Sequence, residues 1–140
     1  IKTGASVYFP VSAKGALLSL GDLHACMGDG EIGGCGAEIA GEVTLKLTVI
    51  PAYQKPYPVV VTDKEVMAVA SCKTVDEAWQ KAVEYLHDYM VSETELTSDE
   101  AVMLQSIGAE LTICQTVNPN KTVRMSIPLK YLEAYGYRQK

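Results

Sequence analysis

Apolar residues recur along this chain with two different periods, and the change from one to the other divides it into three zones. The first, residues 1–50, is strand-like and broken by glycine. Val7-Tyr8-Phe9-Pro10-Val11 and Ala16-Leu17-Leu18-Ser19-Leu20 are short apolar runs on either side of a turn at Ala13-Lys14-Gly15. Runs of this length between turn signals predict buried strands. From Glu38 to Ile50 the alternation is nearly strict. Ile39, Val43, Leu45, Leu47 and Val49 fall on one side, and Glu38, Glu42, Thr44, Lys46 and Thr48 on the other. Period 2 over that length predicts a long half-buried strand, bent at Gly41.

The second zone opens with Pro51, Pro56 and Pro58, which exclude helix and central-strand pairing nearby. Val59-Val60-Val61 and Val66-Met67-Ala68-Val69-Ala70 then read as two strands around Thr62-Asp63-Lys64.

In the third zone the period becomes helical. Val75, Ala78, Trp79, Ala82, Val83, Leu86, Tyr89 and Met90 form one apolar stripe, and Val75, Trp79, Ala82, Val83 and Leu86 are expected to be buried against a sheet. Thr74 with Glu77 is a capping box, and Thr97 with Glu100 is a second. The second helix has Ala101 to Ile107 as its body, with Gly108 suited to a left-handed C′ position. Leu111 to Val117 returns to strand, Asn118-Pro119-Asn120-Lys121 turns the chain, and Thr122 to Ile127 pairs back. Pro128 stops that arm, and Leu129 to Tyr135 forms a short terminal helix. Strands, two capped helices, then strands predict an α+β fold, mainly β in sandwich-like sheets, with the two capped helices packed on the sheet.

Composition narrows the function classes. The 140 residues suit one domain, and no apolar run approaches the roughly 18 residues of a membrane span. Twelve Lys and Arg against seventeen Asp and Glu give a net charge of -5, which leaves no basic footprint for nucleic acid. Cys26, Cys35, Cys72 and Cys114 lack CxxC spacing and a secreted framework. Cys72 and Cys114 lie in apolar stretches and read as buried thiols, so a reducing, cytoplasmic compartment is expected.

The chemistry concentrates in Gly21 to Gly36. Seven of the eleven glycines lie between Gly21 and Gly41, a density that marks tight turns or close backbone approach. Asp22, His24, Asp29 and Glu31 sit among them, with Glu38 just beyond. In an extended stretch Asp22 and His24 share a face, as do Asp29 and Glu31, and a glycine turn could fold one pair over the other. An imidazole with carboxylates is a ligand set for a divalent cation with a position left for water. A solvated acidic loop in which His24 is incidental is the other reading of the same residues. The segment lacks the Lys-Ser/Thr of a P-loop. Cys26 near His24 is no catalytic pair by sequence proximity alone, and His87, Lys121 and Arg124 read as surface residues.

The segment GDLHACMGDGE, Gly21 to Glu31, resembles the GDxHxxxGDGE signature of the acetamidase/formamidase family. Similar stretches flank it: Val7 to Val11, Gly15 to Leu20, Gly36-Ala37-Glu38, Gly41-Glu42-Val43, Ala101 to Leu104, Leu111 to Gln115 and Asn118 to Pro128. The resemblance implies hydrolysis of a small aliphatic amide to a carboxylate and ammonia, in a homo-oligomer whose subunits have a β-sandwich body with added α/β elements. It carries Asp22, His24, Asp29, Glu31 and Glu38 over as metal-site candidates, and Glu31, His24 and Asp29 as catalytic ones.

Chemically, Glu31 is the residue expected to take the proton of water and pass it to the departing ammonia. Asp22 and Asp29 would complete the coordination or orient His24. An imidazole in the set favours zinc, with calcium the alternative suited to oxygen ligands. His24 is expected within coordination or hydrogen-bonding reach of at least one of Asp22, Asp29, Glu31 or Glu38, lining a cleft. The alternative function is a non-catalytic, metal-binding β-rich domain. Family chains are longer, and the part resembled is their C-terminal portion. The chain is therefore expected either to form a single domain or to pack against a missing N-terminal half, and Ile1 in place of a start methionine fits a cleaved or truncated protein.

Overall fold

The computed structural model describes residues 1–51, 53 and 55–138. Five strands form one antiparallel sheet: β1 (Ser6–Tyr8), β2 (Val59–Val61), β3 (Glu65–Cys72), β4 (Glu110–Gln115) and β5 (Lys121–Pro128), in the order β1-β2-β3-β5-β4. Helices α1 (Val75–Glu93) and α2 (Ser98–Gly108) come between β3 and β4, and α3 (Leu129–Glu133) follows β5. This is the α+β arrangement read from the order of periods, with the sheet antiparallel and α1 packed on β3 and β5.

Alternation decides which side of the sheet is covered. Val66, Ala68 and Ala70 on β3 and Val123, Met125 and Ile127 on β5 are buried, and they pack with Ala78, Ala82, Leu86 and Met90 of α1. Arg124 lies between Val123 and Met125 and so projects from the other side, away from α1. The uncovered side of β5 is where the candidate site docks.

Both helix starts follow the sequence. The Thr74 and Thr97 hydroxyls accept from the Glu77 and Glu100 amides at 3.1 and 3.3 Å, and each glutamate reaches back to the cap amide. Turn 62–65 is equally local: Thr62 Oγ1 accepts from the Lys64 and Glu65 amides at 3.2 and 3.1 Å.

Other expectations are corrected. Trp79 is 38% exposed, while Ala78, beside it in sequence, is fully buried. One residue turns about 100° around the helix, and the small Ala78 and Ala82 let α1 approach the sheet along their own line. Trp79 is thus left at the stripe's margin, and Val75 and Val83 are only partly buried. Gly108 is the last residue of α2 and not a left-handed cap, since its φ is not positive. A Cβ there would come within 3.0 Å of the Tyr131 ring, so close packing is the reason for glycine. Cys72 and Cys114 are half-buried free thiols.

The largest differences lie in residues 9–50. Ala16 to Leu20 is not a strand, and Ala16 and Leu17 have left-handed backbones, with φ of 59° and 55°. Glu38 to Ile50 forms no strand either; its contribution to pairing is a single bridge at Glu38. Its apolar row faces solvent, with Leu47 72% and Val49 86% exposed. The alternation is real, but no strand among the described residues lies alongside to pair with it. Among the described residues, no helix is long and apolar enough to cross a membrane.

Candidate active site

The glycine-rich signature folds as a narrow antiparallel hairpin. Ala25 N donates to Ala37 O at 2.8 Å, Ala37 N to Cys26 O at 2.9 Å, and Ile39 N to Leu23 O at 3.0 Å. His24 and Glu38 are therefore opposite each other in an antiparallel bridge, which places their side chains on one face. His24 Nε2 lies 2.8 Å from Glu38 Oε1 and 3.3 Å from Asp22 Oδ1. The expectation that His24 would meet a carboxylate holds. Its side chain is 13% exposed, whereas Asp22 and Glu38 are 81% and 56% exposed. A sheltered imidazole thus presents one nitrogen toward two solvent-facing carboxylates.

Two backbone features make the arrangement possible. Asp22 has φ +60°, a left-handed conformation that aspartate tolerates better than most residues. Gly36 lies directly against the imidazole, and a Cβ there would stand 2.6 Å from Cγ and 2.8 Å from Nδ1 of His24. The ring has no room beside any larger residue. Gly36→Ala is accordingly expected to swing His24 away from Glu38 and, if the group holds a divalent cation, to weaken that binding by about 10- to 100-fold, as displaced ligand supports do. Zinc titration of the natural protein and the variant checks this; equal affinity would show that the ring does not need Gly36.

Asp22, His24 and Glu38 are the one group of three ligating residues, among the described residues, whose donor atoms all lie within 4.8 Å of one another. One imidazole and two carboxylates fit a zinc-type ion with a position left over, and fit calcium less well because of the nitrogen.

Asp29 and Glu31 lie outside that group. The Asp29 carboxylate receives both arms of the Arg124 guanidinium, from Nη1 at 2.7 Å and Nη2 at 3.0 Å. That hydrogen-bonded cation holds the Asp29 carboxyl below the usual carboxylate range against the opposing effect of burial, and the guanidinium's own pKa is raised in return. The adjoining Gly30, at φ +91°, docks on β4: its amide donates to Cys114 O at 3.1 Å, and its carbonyl accepts from Thr116 N and Oγ1, both at 3.1 Å. Glu31 follows in a left-handed conformation, φ +47°, half-buried. It sits where two turns meet, its amide donating to Gly28 O and its carbonyl accepting from Gly34 N.

Arg124 and Gly36 are the site residues that sequence reasoning missed. Arg124 read as a hairpin surface charge, yet it is the cationic member of a polar row (Thr122, Arg124, Ser126) that alternates with buried apolar residues. That pattern marks a charge aimed at the uncovered side of the sheet. No local pattern names its partner, which lies 95 residues away.

Residues 1–64 match the sequence profile of the Acetamidase/Formamidase family. The crystal structure of an acetamidase from Bacillus halodurans is 48% identical and superposes with a TM-score of 0.92, over 97% of this chain and 46% of that one. A formamidase of Methylophilus methylotrophus is 41% identical over 87 residues, 54% of this chain and 21% of that protein. An acetamidase of Mycolicibacterium smegmatis is 42% identical over 57 residues, 40% of this chain and 14% of that protein. The chain thus spans less than half the length of each of these three relatives.

Proposed function

The chain belongs to the acetamidase/formamidase family, and from that premise we propose that it carries the signature half of a metal-assisted hydrolase of small aliphatic amides. The reaction is RCONH2 + H2O → RCOO⁻ + NH4⁺, with formamide and acetamide as the substrate class. The observation that carries the reading is the convergence of Asp22 and His24, from the family's own signature, with Glu38 just beyond it, all within 4.8 Å.

Those three residues would hold the ion, zinc before calcium. When bound, such an ion polarises a carbonyl and lowers the pKa of water. The rest falls to side chains of the chain. His24 is oriented by the backbone bridge and by Gly36 beneath its ring. Glu31 is the carboxylate at the turn without a cationic partner among the described residues, suited to take a proton from water and return it to the departing nitrogen. Asp29, held by Arg124, keeps the turn in place.

The substrate side of such a site is completed by other polypeptide. The apolar row from Leu45 to Val49 and the run from Leu17 to Leu20 face solvent, and exposed apolar surface of this kind marks an interface. We assign it to the N-terminal half that the longer relatives possess, with homo-oligomer contacts as the further use. Four free thiols and the acidic charge fit a cytoplasmic enzyme without nucleic-acid or membrane partners.

Ammonia release from formamide and acetamide by the natural protein tests the reading, with elemental analysis before and after chelation. Release that disappears on chelation and returns with zinc is expected. No ammonia from either amide would sink the amidase assignment, and undiminished release from metal-free protein would sink the metal.

A further inference from the structure

We propose that Arg124 is a positioning residue of the site: its guanidinium clamps Asp29, and with it the turn carrying Glu31, onto the β4–β5 hairpin. The inference rests on the amidase reading for the reaction served, while the clamp can be measured apart from it.

Separate contacts converge at this point. The fork on Asp29 uses both terminal nitrogens, and Nη1 also reaches Cys114 Sγ at 3.5 Å. Cys114 is the same residue whose carbonyl accepts from Gly30 N, and Thr116, two positions on, holds the Gly30 carbonyl by backbone and side chain. Side chain and main chain of residues 29 and 30 are thereby tied to β4 and β5 together. The cross-strand neighbours of Arg124, Val69 on β3 and Thr112 on β4, carry no charge that would compete for the guanidinium.

The turn needs such a tie. Glu31 follows Gly30 directly and has a left-handed backbone at φ +47°, a conformation unfavourable for a side chain of its kind. Strained residues persist where their surroundings over-determine them. The clamp on Asp29 and Gly30 supplies that constraint on the N-terminal side of Glu31, and the direction of the Glu31 carboxylate follows from it. Lysine would not serve, because a single ammonium cannot meet both carboxylate oxygens in a planar fork and the thiol as well.

The test compares Arg124→Lys, Asp29→Asn and the double variant in the natural protein, by steady-state kinetics and by backbone amide exchange. Arg124→Lys is expected to lower kcat about 100-fold with KM nearly unchanged, the loss typical of a misplaced catalytic group. Exchange at Gly30 and Thr116 should accelerate about tenfold or more while β3 is unaffected. Asp29→Asn should reproduce both effects, and the double variant should be no worse than either single one, since a shared contact is lost once. Unchanged exchange at Gly30 in Arg124→Lys would overturn the clamp whatever the activity. Accelerated exchange with wild-type kcat would overturn the positioning role, and additive losses would show that the two residues act apart. Should the unsubstituted protein release no ammonia from either amide, the amidase reading fails, and amide exchange alone decides the clamp.

Discussion

His24→Ala is expected to lower amide hydrolysis by the natural protein by orders of magnitude, about 100-fold or more in kcat/KM, while its melting temperature stays nearly unchanged. The two halves of that expectation have separate causes. Activity should collapse because His24 is the centre of the donor group. Its Nε2 is the atom that Asp22 and Glu38 both approach, at 3.3 and 2.8 Å. Without it, two carboxylates remain with no soft ligand between them, a set that favours neither zinc nor a defined geometry. Stability should hold because His24 lies outside the main core, which is built from β2, β3, β5 and the helices. Its side-chain partners are solvent-facing carboxylates, and ion pairs with exposed groups contribute about 0–1 kcal/mol. Parallel measurement of ammonia release and thermal unfolding separates the outcomes. Retained activity would remove His24 from the mechanism, and a steep fall in melting temperature would make it a structural residue.

The 140-residue chain purified alone should aggregate or show no amidase activity, and addition of the N-terminal half proposed to pack on it should restore both solubility and rate. The reason is visible between Phe9 and Ile50. Leu17, Leu18, Leu20, Ile39, Val43, Leu45, Leu47, Val49 and Ile50 are all exposed. Burying a side chain of this size contributes about 1.5–3 kcal/mol, so their combined exposure is a strong drive to associate. Among the described residues, the same segment makes no backbone ladder pairing from Ala40 to Val49, and such backbone recruits strands from whatever is near. In isolation the nearest supply is another copy, and the outcome is aggregation. The proposed N-terminal half would give the segment ordered neighbours and brace the hairpin holding His24 and Glu38 at Ile39. Light scattering during size-exclusion chromatography, followed by an ammonia assay on the eluted species, reads both effects. A soluble monomer of this chain hydrolysing formamide or acetamide as fast as the natural protein would overturn the expectation.

What the sequence by itself determined is whatever a few neighbouring residues can enforce. The capping boxes at Thr74 and Thr97 formed because each partner lies three residues away, within reach of one turn. The pairing of β4 with β5 around Asn118 to Lys121 followed from local alternation and a short turn, and the periods of β3 and α1 placed Val66, Ala68, Ala82 and Leu86 in the core. The chemistry of the site was legible as residue types in the Gly21 to Glu31 segment. Which of them would meet was not. His24 meets Glu38 across fourteen residues through a glycine-lined hairpin, and Asp29 is drawn to Arg124 across ninety-five. Trp79 fell to the edge of its stripe because the distance between α1 and the sheet, set by Ala78 and Ala82, chose the buried line. The alternation from Glu38 to Ile50 met the same limit. A period of 2 states which side chains share a face, but a strand exists only where another backbone accepts its hydrogen bonds. Side-chain period and capping are encoded within about four residues. Ladder partners, salt-bridge partners and helix-to-sheet spacing are decided by segments far away in the chain, and only the tertiary structure brings those segments together.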